Sequence, residues 1–487
     1  MLGQEGGVVS PSVYDTAQLL QARRHEPPRA GLGWLLREQA PDGGWGAPAV
    51  PLARDVPTLA AVLALHTAGR TAESKEAVRA GLDFLRRHAP VWEESLPDDA
   101  PVAVELILPW MLDKGADMGL DVPVRPYIRL RELGERRHRL IQKMRPGPGT
   151  APSHAWEVWG TDATPDMLDG SGGVGHSPAA TAAWLSRHGS VSERDVDRAR
   201  SYLKGAGAAT LHDDASGIVP TVWPIDRFEQ VWGLYALLAT GLLEHPALSD
   251  VVSSLLVSVK QALRPEGIGM SDHFIHDGDI TATTVAVLAG AGREVDMAVL
   301  NRFRRDDGFI TYANELQPSL TTNAHAVLAL ALLGQDATRP LQRLREAQGV
   351  DGRWSGDKWH GSWLYTTSQV MVALATAGDT GCVARGVDAL LRHQHGSGGW
   401  GMNADATPAE TAYAVHALHA ARSRCAGNDA INEAMRGASV WLSRQLDHSL
   451  SRNGRLWIGK ELYCPHRVDQ AFELSARLML HLDPAMQ

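Results

Sequence analysis

Cysteine is scarce in this chain: 487 residues hold three, Cys382, Cys425 and Cys464. They are too few and too scattered for a disulfide framework or a paired-cysteine metal site. Buried thiols in a cytoplasmic, reducing compartment are the expectation. Basic residues are outnumbered too, 47 against 56 acidic ones, for a net charge of −9. Binding to a phosphate backbone needs a basic face, so nucleic acid is excluded as a partner. No run of about 18 apolar residues occurs, which argues against a transmembrane helix. The first twenty residues lack the basic start and apolar stretch of a signal peptide. Phenylalanine and tyrosine are sparse as well, 6 and 8, yet there are 15 tryptophans. Something selects for large, electron-rich rings.

What the chain does have is helical periodicity. Segments such as Thr58–Leu65 and Asn323–Leu330 are rich in Ala and Leu, with apolar residues recurring at three- and four-residue spacing. Gly- and Pro-rich punctuation separates such segments, the pattern of many antiparallel helices joined by short loops. Gln-x-x-x-Gly-x-Trp recurs at Gln39–Trp45, Gln348–Trp354 and Gln394–Trp400, each copy following a helix. A Gly turn there would seal a helix end, with the Gln amide bonding orphan backbone groups of a neighbouring helix and the indole stacked on it. Such staples suit barrels made of two rings of helices. Breaks are expected near Gln21–Pro28 and between Ser190 and Thr221.

One stretch carries chemistry. Asp277 and Asp279 flank Gly278 just before an apolar helix. Carboxylates at a helix start are often caps. The functional reading is an acid. In an apolar cavity desolvation disfavours the charged carboxylate, and a second carboxylate alongside favours the protonated form further. Two Asp at this spacing can share a proton.

The surroundings of the motif resemble the bacterial class II diterpene cyclases and the class II part of the plant enzymes, over almost the whole chain. The matching segments are Ser12–Ala17, Thr58–Ala61, Val219–Glu229, Pro318–His325, Asp357–Thr367, Ala409–Tyr413 and Leu456–Cys464. The family's DxDD maps onto Asp277-Gly278-Asp279-Ile280, so the resemblance implies Asp279 as proton donor. Ile280 departs from the pattern and removes one carboxylate. His325 stands where the family has a polar partner to the acid, with Thr321 four residues earlier on the same helix.

The resemblance implies an all-α fold of two α/α-barrel domains with the active-site cavity between them. Residues 1–26 and 214–487 would form one barrel and 27–213 an inserted one. Protonation of geranylgeranyl diphosphate would give a bicyclic diphosphate. The same chemistry on the C15 diphosphate is an alternative, and so is a non-catalytic helical-barrel binding protein. A triterpene cyclase is disfavoured by the length. Carbocations need aromatic faces, for which Trp223, Trp232, Trp359, Trp363, Tyr365 and Tyr463 are candidates. Lys143 is the candidate for the diphosphate. Asp55 is what remains of the family's acidic magnesium segment, and Mg²⁺ is expected with the diphosphate rather than as a tight structural metal. Plant ent-copalyl enzymes hold a water with a His and an Asn. Here His154 keeps the first and Thr221 replaces the second, which points to a rearranged skeleton or a different base. The oligomeric state is open, with a homodimer as one expectation.

Overall fold

The computed structural model describes the chain apart from residues 1, 24–27, 49, 95, 97–98, 188, 190, 213–216, 316–317, 423, 425–428, 446–453 and 487. Cys425 and parts of both expected breaks therefore lie outside the described residues. The rest is helical, with four two-residue strands paired into two small hairpins. No helix among the described residues is long and apolar enough to cross a membrane.

The fold is two barrels. In the C-terminal one, helices Asp226–Ala239, Gly278–Gly290, Leu320–Leu332, Trp363–Thr376, Pro408–Arg422 and His466–Leu482 pack each against the next, and the last against the first. Helices Ser249–Ala262, Thr338–Glu346, Thr380–Arg392 and Asp429–Arg444 lie outside this ring. The composition explains which is which. Inner helices are buried all round, as in Gly278–Leu288, where every residue is buried. Outer helices carry charge on their solvent faces, as Thr338–Glu346 does with three Arg and a Glu.

In the N-terminal barrel, Val13–Ala22, Asp55–Ala68, Val104–Asp117, the short Trp156–Trp159 and Pro178–Ser186 close the inner ring. This corrects the expected division of the first residues. Gly3 and Val8 donate backbone bonds to Glu229, and Val9 pairs with Pro465, so the chain starts on the C-terminal barrel. At Ser12 it crosses over, and Val13–Ala22 joins the core of the N-terminal barrel. Burial of Val13, Tyr14, Ala17 and Leu20 in that core decides the matter.

The three Gln–Trp repeats adopt one geometry. Each Gln amide donates to the Gly carbonyl of its own turn, at 2.9, 3.0 and 2.8 Å. It also donates to a carbonyl near the start of a neighbouring helix, that of Ala77, Cys382 or Ala434. The helix-end carbonyls are satisfied by the indoles instead: Trp45, Trp354 and Trp400 donate to Leu35, Leu344 and Leu390 at 2.7–2.8 Å. Gly43, Gly352 and Gly398 have φ of 90°, 88° and 99°, and a Cβ at any of them would sit within 2.5 Å of a facing carbonyl oxygen.

Buried charges join the barrels. The hairpin of Trp457–Ile458 and Leu462–Tyr463 carries Lys460 and Glu461 at its turn. Lys460 Nζ, fully buried, meets Glu157 Oε1 at 2.7 Å and Ser177 Oγ at 2.6 Å. Tyr14 donates to the same Glu157 oxygen, and Glu461 accepts from the Val13 and Tyr14 amides. The Tyr14-Asp15 and Lys460-Glu461 motifs thus tie the two barrels together.

Candidate active site

Asp277 caps the helix Gly278–Gly290, with backbone at φ −126°, ψ 158° and Oδ1 accepting from the Ile280 amide at 2.7 Å. Gly278 between the carboxylates is obligatory, because its amide donates to the Thr311 carbonyl and a Cβ there would lie 2.0 Å from the Ile310 oxygen. The cap geometry turns Asp279, in the first turn, into the wall of a cavity of about 150 Å³. Its Oδ1 lies 2.7 Å from His325 Nδ1, and His325 Nε2 lies 3.1 Å from Gln369 Oε1. Oδ2 of Asp279 has no hydrogen-bond partner among the described residues.

Burial holds the Asp277 carboxyl well above the usual carboxylate range, and the neighbouring Asp279 adds to this. Tyr312 donates to Asp277 Oδ2 at 3.4 Å. Burial pushes His325 down, but the charge of Asp279 and the bonds from Asp279 and Gln369 outweigh it, and the net shift is upward.

Thr321 does not face the acid. Its Oγ1 and amide bind Asp357, which also receives the Ser319 hydroxyl and the Leu320 and Trp359 amides. Asp357 thereby ties the start of the His325 helix to the loop bearing Trp359, so Thr321 positions the helix rather than the proton.

The cavity lies between the barrels: Val102, Ala151 and His154 come from the N-terminal one, and the C-terminal one supplies the rest. Of the predicted aromatics, Trp232, Trp359 and Tyr463 line it. Phe228, Phe274, Tyr312 and Trp457 also line it and were not singled out, although Phe228 and Trp457 stand inside the matched segments. The indole N–H groups of the lining tryptophans are all engaged by protein acceptors. Trp232 Nε1 donates to Tyr365 Oη at 2.9 Å, Trp359 Nε1 to Thr311 Oγ1 at 3.2 Å, and Trp457 Nε1 to Asp469 Oδ1 at 2.9 Å. What the cavity meets is ring surface, as a cation needs.

The other predicted aromatics do not line the cavity. Tyr365 is a layer behind it, stacked on His360 with centroids 4.3 Å apart. Trp223 packs on Tyr202 between the barrels, 5.5 Å away. Trp363 lies under Arg353 and beside His393 on the outside of the barrel.

A second, wider cleft of about 450 Å³ adjoins the cavity and shares Val102, Ala151, His154, Tyr312 and Trp359 with it. Arg137, Arg145 and Lys358 line it. Lys143 does not; it stands on the exposed side of the helix Ile128–Met144. Asp55 is not a metal ligand here. It is fully buried and receives bonds from Trp92 Nε1 and Tyr127 Oη and pairs with His88 Nδ1, each at 2.6 Å. Among the described residues no group of three or more His, Cys, Asp or Glu could hold a metal.

His154 Nδ1 lies 2.8 Å from the Gly175 carbonyl. A carbonyl can only accept, so Nδ1 carries the hydrogen and Nε2 keeps a lone pair. Burial, helped by the charge of Lys460, lowers His154 to about 3, which keeps the ring neutral. Thr221 lies in the same cavity with its buried Oγ1 unpartnered.

Two helical barrels enclosing a carboxylic acid in an aromatic-walled cavity define a class II terpene cyclase. The chain belongs to the bacterial class II diterpene cyclases. It is 44% identical to the (+)-kolavenyl diphosphate synthase of Herpetosiphon aurantiacus, over 99% of this chain and 96% of that one. It is 30% identical to the type B diterpene cyclase of Mycobacterium tuberculosis, over 97% and 96%. Its structure resembles ent-copalyl diphosphate synthase from Streptomyces platensis, with a TM-score of 0.80 at 31% identity, covering 97% of this chain and 96% of the other. No family model matches the chain.

Proposed function

We propose that the protein cyclises geranylgeranyl diphosphate to a bicyclic diterpenyl diphosphate of the kolavenyl type, with Asp279 as proton donor and the diphosphate retained. The observation that carries this reading is the placement of Asp279, with Oδ1 held by His325 and Oδ2 without a partner at the wall of an aromatic cavity. The proton passes from the Asp279 carboxyl to the terminal alkene, whose π electrons form the new C–H bond. The resulting cation closes two rings against Trp232, Trp359 and Trp457, whose quadrupoles favour positive charge, and 1,2-hydride and methyl shifts then move the charge around the rings to give the rearranged skeleton. Loss of a proton ends the reaction, and the neutral His154 Nε2, alone or through a water shared with Thr221 Oγ1, is the base in this reading.

The diphosphate is assigned to the wide cleft, with Arg145 and Lys358 in place of Lys143. Lys358 is paired with Glu315, so Arg145 is the freer cation. Magnesium in this reading is a counterion that arrives on the diphosphate. Free thiols at the buried Cys382 and Cys464 fit a cytoplasmic location.

The test is incubation of the purified protein with the C20 and C15 diphosphates and Mg²⁺, followed by dephosphorylation and identification of the alcohols by mass spectrometry. A bicyclic C20 alcohol is expected. Absence of a cyclic product from either substrate sinks the proposal.

A further inference from the structure

Gln369 lies on the helix Trp363–Thr376 and is 1% exposed. Its Oε1 faces His325 Nε2 at 3.1 Å, while its own Nε2 has no hydrogen-bond partner. A buried amide with two idle donors is unfavourable, so the contact that its acceptor oxygen makes is the one to explain. A carbonyl oxygen can only accept, and Nε2 of His325 must therefore carry a hydrogen. In a neutral imidazole that leaves Nδ1 bare, and Nδ1 is the atom 2.7 Å from Asp279 Oδ1. A bare Nδ1 against a carboxylate sets two lone pairs face to face. The contact becomes a strong hydrogen bond once a single proton lies between them, whichever of the two atoms holds it.

We infer that Gln369 is a positioning residue: by holding the hydrogen on His325 Nε2, it obliges Asp279 and His325 Nδ1 to keep one proton between them at neutral pH, and so keeps the acid loaded. Without Gln369 the deprotonated pair has a comfortable arrangement, with the ring hydrogen moved to Nδ1 and donated to the carboxylate. With Gln369 that arrangement would put a lone pair of Nε2 against the amide oxygen. The inference rests on Asp279 being the proton donor.

The other titratable groups facing the pair come from every element packed on it. They are Asp277 from the same helix start, Asp357 from the loop before the Gln369 helix, Tyr235, Tyr312 and Tyr365. None of them is hydrogen-bonded to His325 Nε2. Burial raises all three phenols, so they stay neutral at the pH in question.

The test is the pH profile of kcat and KM with geranylgeranyl diphosphate for the native enzyme, Gln369→Leu and Gln369→Glu. Leu removes the acceptor at similar volume, and Glu keeps an acceptor oxygen. In Gln369→Leu the alkaline limb of kcat is expected to move down by about one pH unit or more, with KM unchanged and kcat at low pH reduced only about twofold. Gln369→Glu is expected to return the limb to its native position or above. If kcat falls equally at every pH and the limb stays, Gln369 only packs and the inference fails. A limb that moves to higher pH also overturns it, because the amide would then be donating. Should Gln369→Leu not fold, Gln369→Met makes the same comparison. Asp279→Asn separates the two levels. Turnover surviving in that variant overturns the acid assignment itself, whereas a dead variant beside an unmoved limb overturns only the role of Gln369.

Discussion

Trp232 and Tyr365 meet edge to oxygen behind the cavity wall, the indole N–H donating to the phenol at 2.9 Å. Tyr365 was expected to face the cation. It instead holds the ring that does. Tyr365→Phe leaves a buried N–H without an acceptor, which costs about 1–3 kcal/mol. Trp232→Phe removes the donor as well. A double-variant cycle by thermal or denaturant unfolding is expected to show the pair losing less than the sum of the singles. Strict additivity would mean that the bond is worth nothing to the fold.

His154 is expected to decide where the reaction stops. His154→Ala removes the free Nε2 and opens room for water. Turnover of substrate is expected to persist, because the acid lies elsewhere, while the product mixture shifts to other alkene isomers or hydroxylated diphosphates. Gas chromatography of the dephosphorylated products checks this. An unchanged single product excludes His154 as the base.

Arg145 and Lys143 are two residues apart, and only Arg145 lines the wide cleft. Arg145→Ala is expected to raise KM by roughly tenfold or more, on the scale of one charge-assisted hydrogen bond, with kcat little changed. Lys143→Ala is expected to leave both constants near native. The reverse result would move the diphosphate out of the cleft.

Glu461 links the barrels and should give stability a pH dependence. Burial pushes its carboxyl up to about 7, above the unfolded value of about 4.3. The folded chain then holds a proton that the unfolded chain releases. This contribution is complete below the unfolded value and is lost as pH rises through the folded one. Glu461→Gln has nothing to titrate. Its melting temperature is expected to lie below the native value by an amount that shrinks from about pH 5 to about pH 8. Parallel melting curves across that range would place the titration elsewhere.

Trp400→Phe tests the staple. The smaller ring leaves a void and the Leu390 carbonyl loses its partner, the lost hydrogen bond alone costing about 1–2 kcal/mol. If a fall of that size is absent in denaturant unfolding, the three indole bonds are incidental.

Much was legible in the sequence. Helical period and Gly–Pro punctuation determine an all-α chain, and three copies of Gln-x-x-x-Gly-x-Trp mark turns that come out alike because each needs a glycine at positive φ and an indole N–H for a helix-end carbonyl. The Asp277-Gly278-Asp279 spacing determines that one carboxylate caps while the next projects, since a first-turn residue two positions past the cap points off another side of the helix. Direction across the core was not legible. The inner helices are buried on every face, so their periodicity does not say which side meets the cavity. Trp223, Trp363 and Tyr365 therefore read the same as Trp232 and Trp359. Nor could sequence distance pair Asp55 with Trp92 and Tyr127, or Lys460 with Glu157, or separate Arg145 from Lys143 across one helix end. Those outcomes depend on which elements converge in space. Gln369 belongs with them: an ordinary glutamine in a buried helix, given its role by lying one hydrogen bond beyond His325.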